Sequence, residues 1–197
     1  TQRGNLSSIR SSQAGVFSAQ AYGLAATTTS TTTYTPRVRW VDSAPEIPPS
    51  PAYGYGLGGP NPGGPNNTTT VQRIDYGNDT ATAVVKGPLS LDRKNQGAAG
   101  NASYGYNAGG HINPGFTMTS STDRIDYSND SATASPKGLL SFSIANTGSV
   151  SNASYGWFGG GGPPNTSKVD RFDFSNDTAT ASPKGPLTSA KNSMGSA

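Results

Sequence analysis

Apolar and polar residues alternate in a short motif that occurs three times along the chain. In the second copy, Arg124-Ile125-Asp126-Tyr127, the two charged side chains share one face of an extended strand and the two apolar side chains share the other. We expect the apolar face to pack. After a Ser-Asn-Asp turn, β-branched Thr alternates with Ala, which predicts a further strand near Thr133 to Ser135 that ends at Pro or Gly. Helical periodicity is absent from this region.

The motif belongs to a longer internal repeat. Near copies span residues 71–90, 121–141 and 167–188, and each follows an aromatic-glycine run. These runs start at Tyr53, Tyr104 and Tyr155, which are spaced by 51 residues. Four short strands are predicted per repeat: in the second repeat these are residues 94–100, 103–110, the Arg124 segment and the Thr-Ala stretch. Four antiparallel strands at a period of about 50 residues are typical of a propeller blade.

The repeat resembles the kelch family. The resemblance is based on the Arg-x-Asp-aromatic strand, on Pro-Leu steps and on Gly-Gly pairs, which are Pro88/Leu89, Pro186/Leu187, Gly58/Gly59, Gly109/Gly110 and Gly159/Gly160. The Trp that kelch repeats usually place on the last strand is replaced by Ala and Thr. In its exact sequence, from YGWFGGG to VDRFDFSNDTATASPKGPL, the repeat is also similar to repeats of large virion proteins of tailed phages, especially cyanophages. That resemblance starts at about residue 52 and implies a tail-fibre, neck or other appendage protein.

The predicted fold class is therefore all-β, with kelch-like propeller blades in three incomplete repeats at about 52–102, 103–153 and 154–197. Residues 1–51 predict an extended N-terminal arm with a Pro-rich connector, and a disordered leader is the alternative. The final segment, residues 191–197, matches residues 94–100 but has no aromatic-glycine strand after it. We expect further sequence or another subunit to complete it, because an unpaired strand edge promotes aggregation.

Composition agrees with short strands and many turns. Hydrophobic residues make up 31% of the chain, and Gly (26) and Pro (15) account for about a fifth of the 197 residues. Charged residues reach 13%, which is low for a tail that stays disordered through charge. The net charge of +3 is not concentrated in a basic run, so we predict no nucleic-acid binding. The chain has no Cys, hence no disulfide or thiolate metal site, and no apolar stretch long enough for membrane insertion.

The titratable residues predict no catalytic site, cofactor or metal. His111 is the only histidine, and we expect it to be an exposed loop side chain, since a triad or a metal site needs further partners. Carboxylates recur at two positions per repeat, and repetition indicates structure rather than a glycosidase pair. We expect ion pairs or turn bonds between blades, with calcium binding as the alternative. The residues are Asp75, Asp79, Asp126, Asp130, Asp173 and Asp177, with Arg73, Arg124 and Arg171 as partners.

A glycine run, several aromatic residues and a set of Asn-x-Ser/Thr triplets also occur in the repeats. The glycines at 159–162 lack the Gly-Lys-Ser/Thr of a phosphate loop, so we interpret them as a strand end. The aromatic side chains are expected to fill the space between blades, with sugar or base stacking as the alternative: Tyr104, Tyr106, Tyr155, Trp157 and Phe158. The Asn-x-Ser/Thr triplets repeat with the blade motif and indicate nothing about glycosylation: Asn78, Asn101, Asn129, Asn152, Asn165 and Asn176.

Together these patterns predict a non-enzymatic structural or binding component of a phage virion appendage. It would mediate assembly and attachment to the host surface. Its partners would be other virion or filament subunits, including copies of itself, and cell-surface glycans. The alternative is a secreted, extracellular filament subunit or a glycan-binding adhesin.

Overall fold

The computed structural model describes residues 52–61, 66–113 and 117–195. This part of the chain is all-β, as predicted, and its only helices are two three-residue 3-10 turns, Tyr127–Asn129 and Phe174–Asn176. The predicted N-terminal arm at 1–51 lies outside the described residues. The strands are β1 (Tyr53–Leu57), β2 (Val71–Asp75), β3 (Val84–Lys86), β4 (Arg93–Lys94), β5 (Gly97–Gly100), β6 (Tyr104–Ala108), β7 (His111–Ile112), β8 (Thr117–Met118), β9 (Thr122–Asp126), β10 (Ser135–Pro136), β11 (Gly148–Ser151), β12 (Tyr155–Gly159), β13 (Val169–Asp173) and β14 (Ser182–Lys184).

The strands form antiparallel sheets that follow the sequence repeat. Two sheets have four strands, in the orders β5-β6-β9-β10 and β11-β12-β13-β14, and a three-stranded sheet pairs β1-β2-β3. A smaller sheet, β4-β7-β8, pairs β4, which follows the first repeat's sheet, with β7 and β8, which lie between β6 and β9 in the sequence. The ladders have the same register in each repeat, so that Tyr55 faces Arg73, Tyr106 faces Arg124 and Trp157 faces Arg171. Below, the first, second and third repeats are those whose sheets contain β1, β6 and β12.

Successive sheets pack closely through small residues. Strand β5, Gly97–Gly100, lies against β11 and β12 of the next sheet. The Ser149 hydroxyl accepts a hydrogen bond from the Ala98 N–H (3.0 Å) and donates one to the Ala98 carbonyl (2.6 Å). A Cβ on Gly97 would lie 2.9 Å from the Phe158 ring, too close for a real contact. Glycine in this strand therefore permits a close approach of the next sheet.

The outermost strand differs from the prediction. The structure places it at Ser135–Pro136 rather than at Thr133 to Ser135. The Ala134 N–H donates to the Pro88 carbonyl of the preceding repeat (2.8 Å), and its methyl group is buried. The Thr-Ala stretch thus docks on the neighbouring repeat instead of extending its own sheet. Proline is tolerated in β10 because only one side of an edge strand needs donors.

The Gly-Gly pairs named in the sequence analysis coincide with pairs of positive-φ glycines in two repeats and differ by one residue in the third. Gly58/Gly59 and Gly109/Gly110 have positive φ, and the third such pair is Gly160/Gly161, with φ of 65° and 107°. Gly159 instead ends β12, paired with Val169. Left-handed backbone of this kind strongly favours glycine, so the run at 159–162 serves a turn at the end of the strand.

The buried side chains form two clusters between repeats. The first joins the first and second repeats and contains Val71, Leu89, Ile125 and Ala134. The second joins the second and third repeats and is larger and more aromatic: Ala99, Tyr106, Ala108, Leu140, Ile144, Phe158, Phe172, Phe174 and Ala181. Burial of Ile125 and Phe172 confirms that the apolar face of the alternating motif packs.

Candidate functional site: a carboxylate clamp between repeats

The two recurring aspartates of a repeat have different tasks. The first closes the turn after its own strand: the Asp126 carboxylate accepts hydrogen bonds from the Ser128 N–H (2.9 Å) and hydroxyl (2.6 Å). Asp75 and Asp173 make the same backbone bond to the residue two positions on. The bonds from Ser128 lower the pKa of Asp126 below its ordinary value. These are the predicted Asx-type turns, in which the side chain stabilises the turn in its ionised form.

The second aspartate reaches into the preceding repeat. The Asp130 carboxylate accepts hydrogen bonds from Arg73 Nη1 (2.8 Å) and the Tyr55 hydroxyl (3.0 Å), and it lies 3.1 Å from Lys86 Nζ. All three donors belong to the first repeat. We call Tyr55, Arg73, Lys86 and Asp130 the first carboxylate clamp.

An equivalent arrangement joins the second and third repeats. The Asp177 carboxylate receives hydrogen bonds from Arg124 Nη1 (2.7 Å) and the Tyr106 hydroxyl (3.1 Å), and Lys137 Nζ lies 3.3 Å away. These four residues are the second carboxylate clamp. The prediction that the repeated arginines pair with acidic groups across repeats is confirmed for Arg73 and Arg124. Arg171 makes no such pair among the described residues.

The electrostatics of the first clamp keep its carboxylate charged. The Asp130 side chain is only 9% exposed. Burial alone would raise the pKa of Asp130, but the hydrogen bonds from Lys86 and Tyr55 and the charge of Arg73 outweigh it and lower the pKa. Burial and the adjacent Asp130 raise the pKa of Tyr55. At neutral pH the tyrosine therefore donates and the aspartate accepts.

Backbone contacts reinforce each clamp. The Asp130 carbonyl accepts from the Gly87 N–H (2.9 Å), and the Asp177 carbonyl accepts from the Gly138 N–H (2.8 Å). A Cβ on Gly87 would collide with the Ala132 carbonyl, and one on Gly138 would collide with the Ala179 carbonyl. Glycine is needed at both positions because the turn of the following repeat lies directly on it.

Aromatic rings orient the cationic side chains. The guanidinium carbons of Arg73, Arg124 and Arg171 lie 4.1, 4.3 and 4.2 Å from the centroids of the rings of Tyr53, Tyr104 and Tyr155. Rings also stack between repeats, with centroid distances of 5.0 Å for Tyr55–Tyr127 and 4.6 Å for Tyr106–Phe174. Of the aromatic residues expected to fill the space between blades, Tyr106 and Phe158 are fully buried, whereas Tyr104, Tyr155 and Trp157 are half-buried.

A second polar centre lies beside the first clamp, and sequence reasoning missed it. Arg93 and Asp123 form an ion pair of 3.2 Å with exposures of 0% and 1%. Asp123 also accepts from the Ser90 N–H (2.9 Å) and hydroxyl (2.6 Å). Arg93 lies outside the repeated motif, so periodicity gave no signal for it. The recurring lysines of the clamps were also missed, although Lys86 and Lys137 are spaced by 51 residues like the arginines.

The prediction that His111 is an exposed loop side chain is wrong. His111 is 8% exposed and lies in β7, which pairs with both β4 and β8. Its Nδ1 is 3.5 Å from Asn95 Nδ2, and its carbonyl accepts from Asn67 Nδ2 (2.8 Å). Burial, together with the charge of Lys94, lowers the pKa of His111. His111 thus lies in the central strand of a three-stranded sheet, whereas the sequence predicts a loop after the Gly-Gly pair.

No group of three metal-ligating side chains, counting His, Cys, Asp and Glu, occurs in the described part of the chain. Among the same residues, no helix is long and apolar enough to span a membrane.

No protein-family model and no curated protein matches the sequence. Among solved structures, 124 chains are similar to it. One is the structure of YjhT, with a TM-score of 0.57 and 13% sequence identity over 72% of this chain. The match covers 51% of the YjhT chain, so this chain spans about half of that length. At this identity the likeness concerns the fold alone.

Proposed function

We propose that the chain is a non-enzymatic structural component of a phage virion appendage, such as a tail fibre or neck, which mediates assembly and attachment to the host surface. The observation that supports this most directly is the use of the recurring charged residues. Asp130, Asp177, Arg73 and Arg124 join one repeat to the next, and Asp126 closes a turn. The repeated titratable groups thus serve cohesion of the array.

The arrangement of carboxylates argues against a catalytic role. A glycosidase needs two acidic groups whose environments differ, so that one is protonated while the other is ionised. Here the second and third repeats use their aspartates in the same two ways, as a turn bond and as a clamp. Asp130 and Asp126 both have lowered pKa values, which keeps both ionised.

We further infer that the repeats are kelch-like propeller blades. Support comes from the two complete four-stranded antiparallel sheets. Their first strands, β5 and β11, lie beside each other. Radial repetition of such sheets is the architecture of a propeller. Repeats of this kind are stabilised mainly by their contacts with neighbours, which suits a protein whose role is assembly.

A secreted filament subunit or glycan-binding adhesin is the second candidate. It is favoured by aromatic rings that remain accessible on the third repeat. Tyr155 and Trp157 meet edge to face at a centroid distance of 5.9 Å, and neither is fully buried. Rings of this type offer apolar faces on which sugars can stack.

Fractionation distinguishes the two candidates. An antibody against the purified chain should detect it in density-purified phage particles and label their appendages in immunogold electron microscopy. Its presence only in a particle-free secreted fraction would contradict the virion proposal. A glycan array tests the adhesin: binding should be lost in Trp157→Ala and kept in Val85→Ala, a variant of a residue that is 66% exposed on another sheet.

A further inference from the structure

Among the three described repeats, the first and the third each present half of a clamp that no other described residue completes. On the third repeat, Arg171 and Lys184 occupy the positions of Arg124 and Lys137, and Trp157 occupies that of Tyr106. We call Trp157, Arg171, Lys184 and Gly185 the donor edge. On the first repeat, Ile74, Tyr76 and Asp79 occupy the positions of Ile125, Tyr127 and Asp130. We call these three residues the acceptor edge.

The donor edge is open where the internal interfaces are filled. Gly87 and Gly138 are buried beneath the turn of the following repeat, whereas Gly185 is exposed and a Cβ there would meet no atom within 4 Å. Arg171 Nε is buried and has no hydrogen-bond partner among the described residues. The sequence keeps a glycine and two cations at this edge, although no turn of the described chain lies on them.

The acceptor edge exposes groups that are covered in the other repeats. Tyr76 is 46% exposed and Ile74 43% exposed, whereas Ile125 is 4% exposed and Tyr127 stacks on Tyr55. Asp79 is exposed, whereas Asp130 is 8% exposed within the first clamp. This edge therefore combines an apolar face with one negative charge, which complements the two cations and the indole ring of the donor edge.

We propose that the donor edge of one copy of this chain binds the acceptor edge of a second copy. The Asp79 carboxylate of the second copy lies between Arg171 and Lys184, its carbonyl accepts from the Gly185 N–H, and Tyr76 packs on Trp157. The contact is heterologous, because two different surfaces meet, and it can therefore extend head to tail. This inference goes beyond the proposed function, since it names the partner and the residues of one interface.

One position distinguishes this contact from the internal ones. Gln72 stands where the second and third repeats have Asp123 and Asp170, whose carboxylates accept from Ser90 and Ser141. The Gln72 side-chain oxygen can accept from the N–H and hydroxyl of Thr188, which occupies the position of those serines. The bond is then neutral, and a hydrogen bond to a neutral group is weaker than one to a charged group. We expect a reversible association rather than a permanent one.

Sedimentation velocity of the purified 197-residue chain over a concentration series tests the proposal. The wild-type chain should form species larger than a monomer as its concentration rises. Gly185→Ala places a methyl group under the incoming turn, and Asp79→Arg places a third cation in the clamp. Each variant should lower the association constant at least about tenfold, the loss expected for a charged hydrogen bond or a backbone clash.

Mixing the two variants gives the sharpest result. The Asp79→Arg chain keeps an intact donor edge, and the Gly185→Ala chain keeps an intact acceptor edge. Together they should form a heterodimer and nothing larger, because each dimer ends in two disabled edges. An interface between identical surfaces would not be restored by mixing.

Matched controls separate association from folding. Gly138→Ala makes the same change beneath an internal turn and should lower the melting temperature, whereas Gly185→Ala should leave the melting temperature of the monomer unchanged. A wild-type chain that is monomeric at every concentration, or association that survives both edge variants, would overturn the proposal. The test uses only purified chain, so a failure to find the protein in virions would not affect its outcome.

Discussion

The two interfaces between repeats contain the same kind of carboxylate clamp, but different side chains pack beside it. The arginine-to-aspartate distances are 2.8 Å in the first clamp and 2.7 Å in the second. In the first interface Ile125 and Tyr127 pack in or against the buried cluster, and the residues at the same positions of the second interface are Phe172 and Phe174. The clamp is therefore the same in both interfaces. The side chains beside it include a polar hydroxyl in the first interface and are wholly apolar in the second.

The contrast is greatest at the position of Arg93. In the first interface Arg93 forms a fully buried ion pair with Asp123, whereas Ile144 occupies the same position in the second. Among the described residues, the hydrogen bonds to the carboxylate of Asp170, the counterpart of Asp123, come from the N–H and hydroxyl of Ser141, at 2.6 and 2.7 Å. The same backbone arrangement therefore accommodates an aspartate with or without a cation. A buried ion pair seldom adds net stability over an apolar residue of similar size, so the second interface should be the stronger one.

The largest effect should come from breaking the buried pair from its acidic side. Asp123→Ala leaves the Arg93 guanidinium buried and uncompensated, so the free energy of unfolding should fall by about 3–5 kcal/mol in urea denaturation. Arg93→Ile copies the second interface, in which an aspartate needs only its serine, and should cost clearly less. Equal losses in the two variants would show that the first interface does not tolerate an aspartate without a cation as the second interface does.

Substitution of the clamp arginines should give the next largest loss of stability. The loss should be larger where the clamp is complete than where it lacks its aspartate. Arg73→Ala and Arg124→Ala each remove a charge-assisted hydrogen bond to a carboxylate that is mostly buried. We expect losses of about 1–2 kcal/mol in the free energy of unfolding. Arg171→Ala is the matched control, since its clamp has no aspartate among the described residues, and it should cost less. The melting temperatures of the three variants should follow this order, and a melting temperature lowered most by Arg171→Ala would contradict it.

Acid should weaken the first clamp in a predictable pH window. The pKa of Asp130 is lower in the folded chain than its ordinary value, so the ionised clamp contributes stability above about pH 4, the ordinary range of an aspartate. That contribution is lost as the pH falls further, through the folded-state pKa. Urea midpoints between about pH 2 and 6 should fall more steeply for wild type than for Asp130→Asn, which cannot titrate. Parallel curves would show that the clamp does not contribute to acid sensitivity.

The sequence predicted what the repeat determines locally and missed what depends on the neighbouring repeat. Alternation placed β9 on the correct faces, and the spacing of the arginines led to the ion pairs. The Thr-Ala stretch was predicted as a strand because its propensity is local, whereas the Pro88 carbonyl that binds Ala134 lies in another repeat. Likewise, the buried His111 lies in a strand that pairs with β4 and β8, and this pairing is not visible in the residues beside it.

The smallest predicted change concerns the stacked ring of the first interface. Tyr127 occupies the position of Phe174, and burial raises its pKa to about 12. Its hydroxyl lies over Gly100 and Gly105, where a Cβ would be 3.0 and 2.8 Å from the oxygen. Tyr127→Phe keeps the stack on Tyr55 and removes a polar atom, so the free energy of unfolding should change by no more than about 0.5 kcal/mol. Tyr127→Ala, which removes the ring, should cost several times as much, because ring burial and stacking are both lost. A large loss in Tyr127→Phe would show that the hydroxyl, and not the ring, holds the first interface together.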